Sequence, residues 1–393
     1  MKSLHSYDAV ALFSGGLDSI LAARLIQDQG LAVKCLHFTS PFFGKPEAIP
    51  HWQKVYGLDI EAVDIGGEFA AMLAERPVYG FGKVLNPCVD CKILMMRRAR
   101  GIMQELGAEI LISGEVLGQR PMSQRRDTLN VIRRDADAKS VLIRPLSARL
   151  LEETPAEASG KIDRSRLGAI SGRGRKDQLT LAKTMGITEI PTPAGGCRLT
   201  EKENARSYWP VLWHTPSPSA DDFELANTGR QYWNFMEDDA PMRVCIGRNQ
   251  ADNEKLLALV REGDILFKIA SFPGPLSLAR PFPGHPWGAE TIASAAAFAA
   301  SFSPKAARFA AETGKPVLVK AHTGPDYAAV LRPVEEDAVP ALAVVPTRDG
   351  PWQEYPWDKA REAIRAEARE RAGLPARPSG NDGGTNGNEG GPE

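Results

Sequence analysis

The chain has 393 residues, with 48 Lys+Arg against 49 Asp+Glu, a formal net charge of −1, and 43% hydrophobic residues. This composition excludes a wholly disordered or fibrous chain and fits two to three globular domains, while the net charge alone designates no partner. The longest apolar run, around Ile292–Phe302, falls short of the roughly 20 residues that span a bilayer, and MKSLHSYDAVALF lacks a basic leader region, so a cytoplasmic protein without a membrane partner is expected.

YDAVALF (Tyr7–Phe13) reads as a buried strand, SGGLDS as a turn, and ILAARLIQDQG as a helix that stops at Gly30. The pattern repeats with strands at Leu31–Phe38 and Leu58–Ile65, a helix at Cys91–Gly107 and a strand at Ala108–Gly114. Strands alternating with helices predict an α/β fold, a parallel sheet with helices on both faces, whose ligands lie beyond the carboxyl ends of the strands. The first domain is expected over 1–208, a Pro/Ser-containing acidic linker over 209–240, and a smaller α+β domain over 241–345. An extension with a helix over 346–374 and a disordered tail over 375–393 complete the organisation.

A strand–turn–helix carrying Ser14, Gly15, Gly16, Leu17, Asp18 and Ser19 has the parts a pyrophosphate requires. The glycines allow close approach, the helix N-terminus attracts anions, the two serines add hydroxyl donors, and Asp18 can hold Mg²⁺. No GK[ST] ends the loop, so it is not a Walker P-loop. The sequence here resembles the PP-loop ATP pyrophosphatases, whose signature is SGGxDS between the first strand and first helix. The resemblance implies cleavage of ATP between its α- and β-phosphates and transfer of AMP to a carbonyl oxygen. It also places adenine near His37 and Phe38, although a packed strand-end histidine is an equal reading of His37.

Five cysteines, thinly spread, argue against a disulfide framework and for thiol chemistry in a reducing compartment. Cys88 and Cys91 form a CxxC at a helix start, where the dipole and Lys92 favour thiolates, and Cys197 lies in the Gly-rich PAGGC. With the PP-loop, NPCVDCK and PAGGC resemble the tRNA-thiolating PP-loop enzymes, the 4-thiouridine synthases and 2-thiouridylases. The segment GEVLGQRPMSQ, from Gly114 to Gln124, shares that resemblance. Gly114 would admit ATP, and Gln119, Arg120, Ser123 and Gln124 would position nucleotide or base.

The implied function is a tRNA sulfurtransferase: ATP adenylates a uridine carbonyl, and sulfur held at Cys88, Cys91 and Cys197 displaces AMP. A [4Fe–4S] cluster on the three thiols, persulfide chemistry and a zinc site are alternatives for them, and none of the six histidines shows metal spacing beside the cysteines. Cys35 and Cys245 read as core residues. The sulfur donor would be a cysteine desulfurase or sulfide. A homodimer is compatible with the sequence. The basic residues Arg125, Arg126, Arg173, Arg175 and Lys176 are candidate RNA contacts beside Lys92, Gln119 and Arg120, with a solvated face as the plain alternative.

In the C-terminal domain VCIGRNQ (244–250), DILF, PGP and an Ala-rich helix followed by a strand resemble the RNA-binding domain of NFACT proteins. This implies RNA contacts at Arg248, Lys255, Lys268 and Lys320, although Lys268 stands where that family has histidine. Relatives that carry a THUMP domain place it before the PP-loop, so this unit is expected to serve in its stead. Amide formation by the same adenylation, and a non-catalytic RNA-binding module, are the rival functions.

Overall fold

The computed structural model describes residues 7–371 except 83, 122, 192–195, 236–240, 324–326 and 332–340. Residues up to Tyr355 pack as one unit, which begins with the expected α/β alternation. It runs β1 (Ala9–Leu12), α1 (Leu17–Gln27), β2 (Val33–Thr39), α2 (Ile49–Tyr56), β3 (Asp59–Asp64) and α3 (Gly66–Ala74). It continues through α4 (Cys88–Glu105), β4 (Ile110–Ser113), α5 (Arg126–Asp135), β5 (Leu142–Ile143), α6 (Pro155–Ala158) and α7 (Lys176–Thr184). The sheet order is β3-β2-β1-β4-β5 and every pairing is parallel.

All four residues of β1 are buried, as a parallel strand covered on both faces must be. Ile20, Leu21 and Ile26 of α1 join them in one apolar core with Val33, Ile60 and Ile112. The chain leaves β1 for β2 on one side and returns to β4 on the other, so the strand order reverses at β1. A crevice therefore opens at its carboxyl end, where SGGLDS lies.

The segment expected to be a linker, 209–240, is instead structured through Phe235. α8 (Lys202–His214) buries Tyr208 and Trp209, and α9 (Ala220–Asn227) buries Phe223. The Ser/Asp composition that suggested a linker is a capping box, in which Ser219 and Asp222 satisfy each other's backbone amides. β6 (Arg230–Asn234) already belongs to the second sheet, so that sheet starts before residue 241.

The second sheet adds β7 (Met242–Ile246), α10 (Gln250–Ala258), β8 (Ile265–Ile269), β9 (Leu276–Ala279), α11 (Ala289–Ala300), α12 (Pro304–Thr313), β10 (Val317–His322) and β11 (Ala341–Val344). Its order is β11-β10-β8-β9-β7-β6, antiparallel throughout. Val244, Ile246 and Phe267 pack with the Ala-rich α11, while Cys245, Leu266 and Leu278 pack with Leu256 of α10. From Pro356 a separate unit contains α13 (Trp357–Arg371), and the 375–393 tail lies outside the described residues. No helix among the described residues is long and apolar enough to cross a membrane.

A buried ion network joins α9 to the second sheet. Arg280 bonds Asp222 at 3.1 Å and Asp264 at 2.8 Å, all three side chains being at most 5% exposed, and Arg261 reaches Asp222 at 3.1 Å. Burial alone would raise the Asp222 carboxyl, but the Ser219 backbone bond and the Arg261 and Arg280 charges hold it below the usual range. A carboxyl lowered by folding contributes stability above its unfolded pKa and loses it as pH falls through the folded one. Asp222→Ala should therefore cost about 3–5 kcal/mol at neutral pH by leaving Arg280 short of a partner. In urea unfolding this deficit should shrink as the pH drops below 4, where the wild type also loses the interaction.

Candidate functional site

Two local constraints build the PP-loop. Gly15 has φ +76°, and a Cβ there would lie 2.4 Å from the ring of Trp52, which backs the loop from α2. Gly114, just after β4, sits so close to α1 that a Cβ would meet the Asp18 carbonyl at 2.7 Å and the Ser19 Cα at 2.8 Å. The side of Gly114 on which a Cβ would stand is thus filled by the loop itself. Leu17 and Ser19 are buried, Ser14 is exposed, and Asp18 lies between these extremes. The Ser19 hydroxyl donates to the Gly16 carbonyl at 2.7 Å, while no side chain caps α1 at Gly16. The Ser19 N–H also bonds that carbonyl, at 3.0 Å, and no first-turn amide is taken by a capping side chain, which leaves this helix end suited to an anion.

Asp18 gathers the groups that sequence reading had scattered. Gln119, Arg175, Arg120 and Gln178 all lie near enough to favour its charged form, but burial outweighs them and raises the carboxyl. Neither amide makes a bond of normal geometry to Asp18 Oδ1, which has no partner. The loop after Gly114 is firmly held. Leu117 N–H donates to Ser147 Oγ at 3.0 Å, Gly172 N–H donates to the Leu117 carbonyl at 2.7 Å, and buried Glu115 pairs with Arg144 at 3.0 Å. The loop and the 170–178 segment thus form one wall beside Asp18.

His37 is not available to adenine through its ring. Nε2 accepts the Lys45 N–H at 2.8 Å, so Nδ1 carries the proton and donates to the Phe13 carbonyl at 3.0 Å. Both nitrogens are spent joining the β1 end to the loop after β2, and burial lowers the imidazole pKa. The side chain of Phe38 is buried as well.

Cys88 and Cys91 occupy the first turn of α4, and the Asn86 amide donates to Cys88 Sγ at 3.2 Å. Backbone bonds from Leu85 N–H to the Leu199 carbonyl at 3.1 Å and from Arg198 N–H to the Phe42 carbonyl at 3.0 Å bring the Cys197 loop to this turn. Pro193, Ala194 and Gly195 of PAGGC lie outside the described residues. The three thiols sense one another. Burial first, then the charges of Cys197 and Cys88, push Cys91 up, and burial with Cys88 pushes Cys197 up to about 12. The expectation that helix dipole and Lys92 favour thiolates is therefore reversed for Cys91, because desolvation outweighs Lys92. Among the described residues no group of three or more His, Cys, Asp or Glu side chains is gathered to hold a metal ion. Cys35 and Cys245 are fully buried, as expected of core residues.

The other basic candidates separate by their partners. Arg125 pairs with Asp127 at 3.0 Å and Arg126 donates to the Leu150 carbonyl at 3.1 Å, whereas Arg173 and Lys176 are exposed and Lys92 is half-buried. Arg248 is committed to Asp252 through 2.6 Å and 3.1 Å bonds. Lys320 is buried, opposite half-buried Lys268 across β8 and β10, which removes it from an exposed RNA surface, while Lys255 is exposed. Sequence reading missed Gln178, Trp52, Asn86 and Arg144. Gln178 was concealed inside the basic stretch SGRGRKDQ, where only the charges drew notice.

The parallel sheet, with SGGLDS beyond the carboxyl end of β1 where the strand order reverses, is a PP-loop-like α/β fold. Residues 5–153 match the family described as Thiamine biosynthesis protein (ThiI). Among curated proteins the chain is similar to the probable tRNA sulfurtransferase of Thermococcus kodakarensis, 29% identical over 146 residues, or 35% of this chain and 36% of that one. It is also 29% identical over 146 residues to the tRNA sulfurtransferase of Desulfurococcus amylolyticus, covering 35% and 29%. The matched segment thus spans about a third of these relatives. A predicted subunit of tRNA methyltransferase from Methanocaldococcus jannaschii aligns with 35% of this chain and 67% of its own at 14% identity and a TM-score of 0.26, too low to support an argument.

The glycines provide a paired test. Gly114→Ala should destabilise the protein by about 1–3 kcal/mol, since the methyl meets backbone rather than a movable side chain. Gly101→Ala, mid-way along α4 with nothing within 4 Å of its Cβ position, should stabilise it by up to about 1 kcal/mol. Urea unfolding of the two variants measures both signs.

Proposed function

We propose that the chain is an ATP-dependent tRNA sulfurtransferase that converts a uridine to a thiouridine. The observation that carries this reading is the convergence of the Gly114–Gln124 loop, Arg175 and Gln178 on Asp18 of an intact SGGLDS turn. The names of the curated relatives support it.

In this reading the loop amides, the uncapped α1 N-terminus and Ser14 hold the pyrophosphate of ATP, and Asp18 holds Mg²⁺. Arg120 and Arg175 add positive charge where negative charge develops. The uridine carbonyl oxygen attacks the α-phosphorus and pyrophosphate leaves. A sulfur nucleophile then attacks the same carbon and AMP leaves with the oxygen. Cys88, Cys91 and Cys197 are the proposed holders of that sulfur, supplied by a cysteine desulfurase or by sulfide. Three soft thiol donors without a companion histidine fit a [4Fe–4S] cluster with one open iron, which when bound would supply a site for sulfide. Asn86 orients Cys88, and the raised thiols of Cys91 and Cys197 hold their protons until a cation or a sulfur acceptor takes their place. The second sheet is proposed, on its NFACT-like sequence, to hold tRNA through exposed residues such as Lys255, leaving Arg248 to support α10.

Pyrophosphate release from ATP with tRNA present, together with mass spectrometry of the tRNA nucleosides, tests the proposal. The wild type should release pyrophosphate and form a thiouridine. Asp18→Asn should lose both by at least about a hundredfold. Its melting temperature at neutral pH should not fall below that of the wild type, because burial already penalises the Asp18 charge. Cys197→Ala should keep pyrophosphate release and lose the thiouridine. Full thiolation by Cys197→Ala would refute the three-cysteine scheme.

A further inference from the structure

Gln178 stands in the first turn of α7 with none of its surface exposed. Neither its Nε2 nor its Oε1 has a hydrogen-bond partner. A primary amide buried in this way costs free energy that a leucine of similar size would not. The unmet groups do not face the apolar core alone. Gln178 lies against Asp18, whose Oδ1 is also unpartnered. The helix on which it stands is uncapped at Arg175, as α1 is uncapped at Gly16, so two helix N-termini meet at this point. Two unpartnered side chains and two uncapped helix N-termini thus lie at one spot, which suits a group that is anionic toward the amides and Arg175 and cationic toward Asp18.

We infer that Gln178 is a binding residue for the phosphate–cation end of the nucleotide, its Nε2–H donating to a phosphate oxygen and its Oε1 accepting from a water on the cation. The inference rests on the nucleotide reading of the site and deepens it. It also assigns the 173–178 segment at least in part to ATP rather than to RNA. An amide suits the position better than a carboxylate, because a second negative charge beside Asp18 would repel it whenever the cation is absent. The same amide can serve both sides of such a group, which no apolar or singly charged side chain does.

The test compares calorimetric binding of Mg²⁺·pyrophosphate, Mg²⁺·α,β-methylene-ATP and AMP to the wild type, Gln178→Leu and Gln178→Asn. Gln178→Leu should melt no lower than the wild type, since it removes two unmet polar atoms. It should bind both phosphate ligands about tenfold more weakly, as expected for one lost bond to a charged group, with AMP affinity unchanged. Gln178→Asn, whose amide is withdrawn by one methylene, should show the same loss and keeps the test valid if the leucine variant fails to fold. Wild-type affinity for pyrophosphate in a folded variant would overturn the inference while leaving the nucleotide reading intact. A lowered melting temperature with unchanged affinities would make Gln178 structural only. Absence of any Mg²⁺·ATP-analogue binding by the wild type would overturn both readings together.

Discussion

The close approach of β4 to the first turn of α1 is the constraint on which the site depends. At Gly114 the end of one strand touches the backbone of Asp18 and Ser19, so the loop between β1 and α1 cannot drift from the sheet. Trp52 closes the other side at Gly15, and His37 fixes the β1 end to the next loop through both ring nitrogens. A phosphate-binding loop works by presenting amides at fixed positions, and this one is held from three directions before any ligand arrives. Gly114 and the His37 ring, both in segments read from the sequence as ligand contacts, also serve as clamps.

Charge is buried in two places for different ends. Glu115–Arg144 and the Asp222–Arg280–Asp264 network are paired and hydrogen-bonded, so they fix geometry: one anchors the wall beside Asp18, the other joins α9 to the second sheet. Asp18 Oδ1 and the Gln178 amide are enclosed without a hydrogen-bond partner, as is Glu115 Oε1 on the wall beside them.

The parallel sheet was legible because β1 and β4 are apolar runs, β2 is largely apolar with Lys34 and His37 within it, and α1 and α4 are long enough to show their period. α2 escaped because its eight residues open on Ile49-Pro50 and end at a left-handed Gly57, too short for a periodic signal. β5 has two residues and carries none. The 209–240 stretch misled because helix-capping residues and linker residues share a composition, and only the burial of Tyr208, Trp209 and Phe223 separates them. In the site, SGGLDS and the three cysteines could be read from spacing. Gln178 could not, since its meaning comes from a contact across 160 residues of sequence with Asp18.

The cysteines show why motif reading reaches residue identity before chemical state. A CxxC at a helix start beside lysine favours thiolates when exposed, but desolvation is the larger effect at Cys91, and each neighbouring thiol adds to it. Cys91 and Cys197, both pushed up by burial and by the neighbouring sulfurs, are held as thiols when no cation joins them. A cluster would reverse that order by compensating three negative charges at once, with release of protons. Cys88 begins the helix, and the Asn86 amide donates to its sulfur. Cys91 and Cys197, held as thiols by burial, are thus suited to a partner that takes their protons.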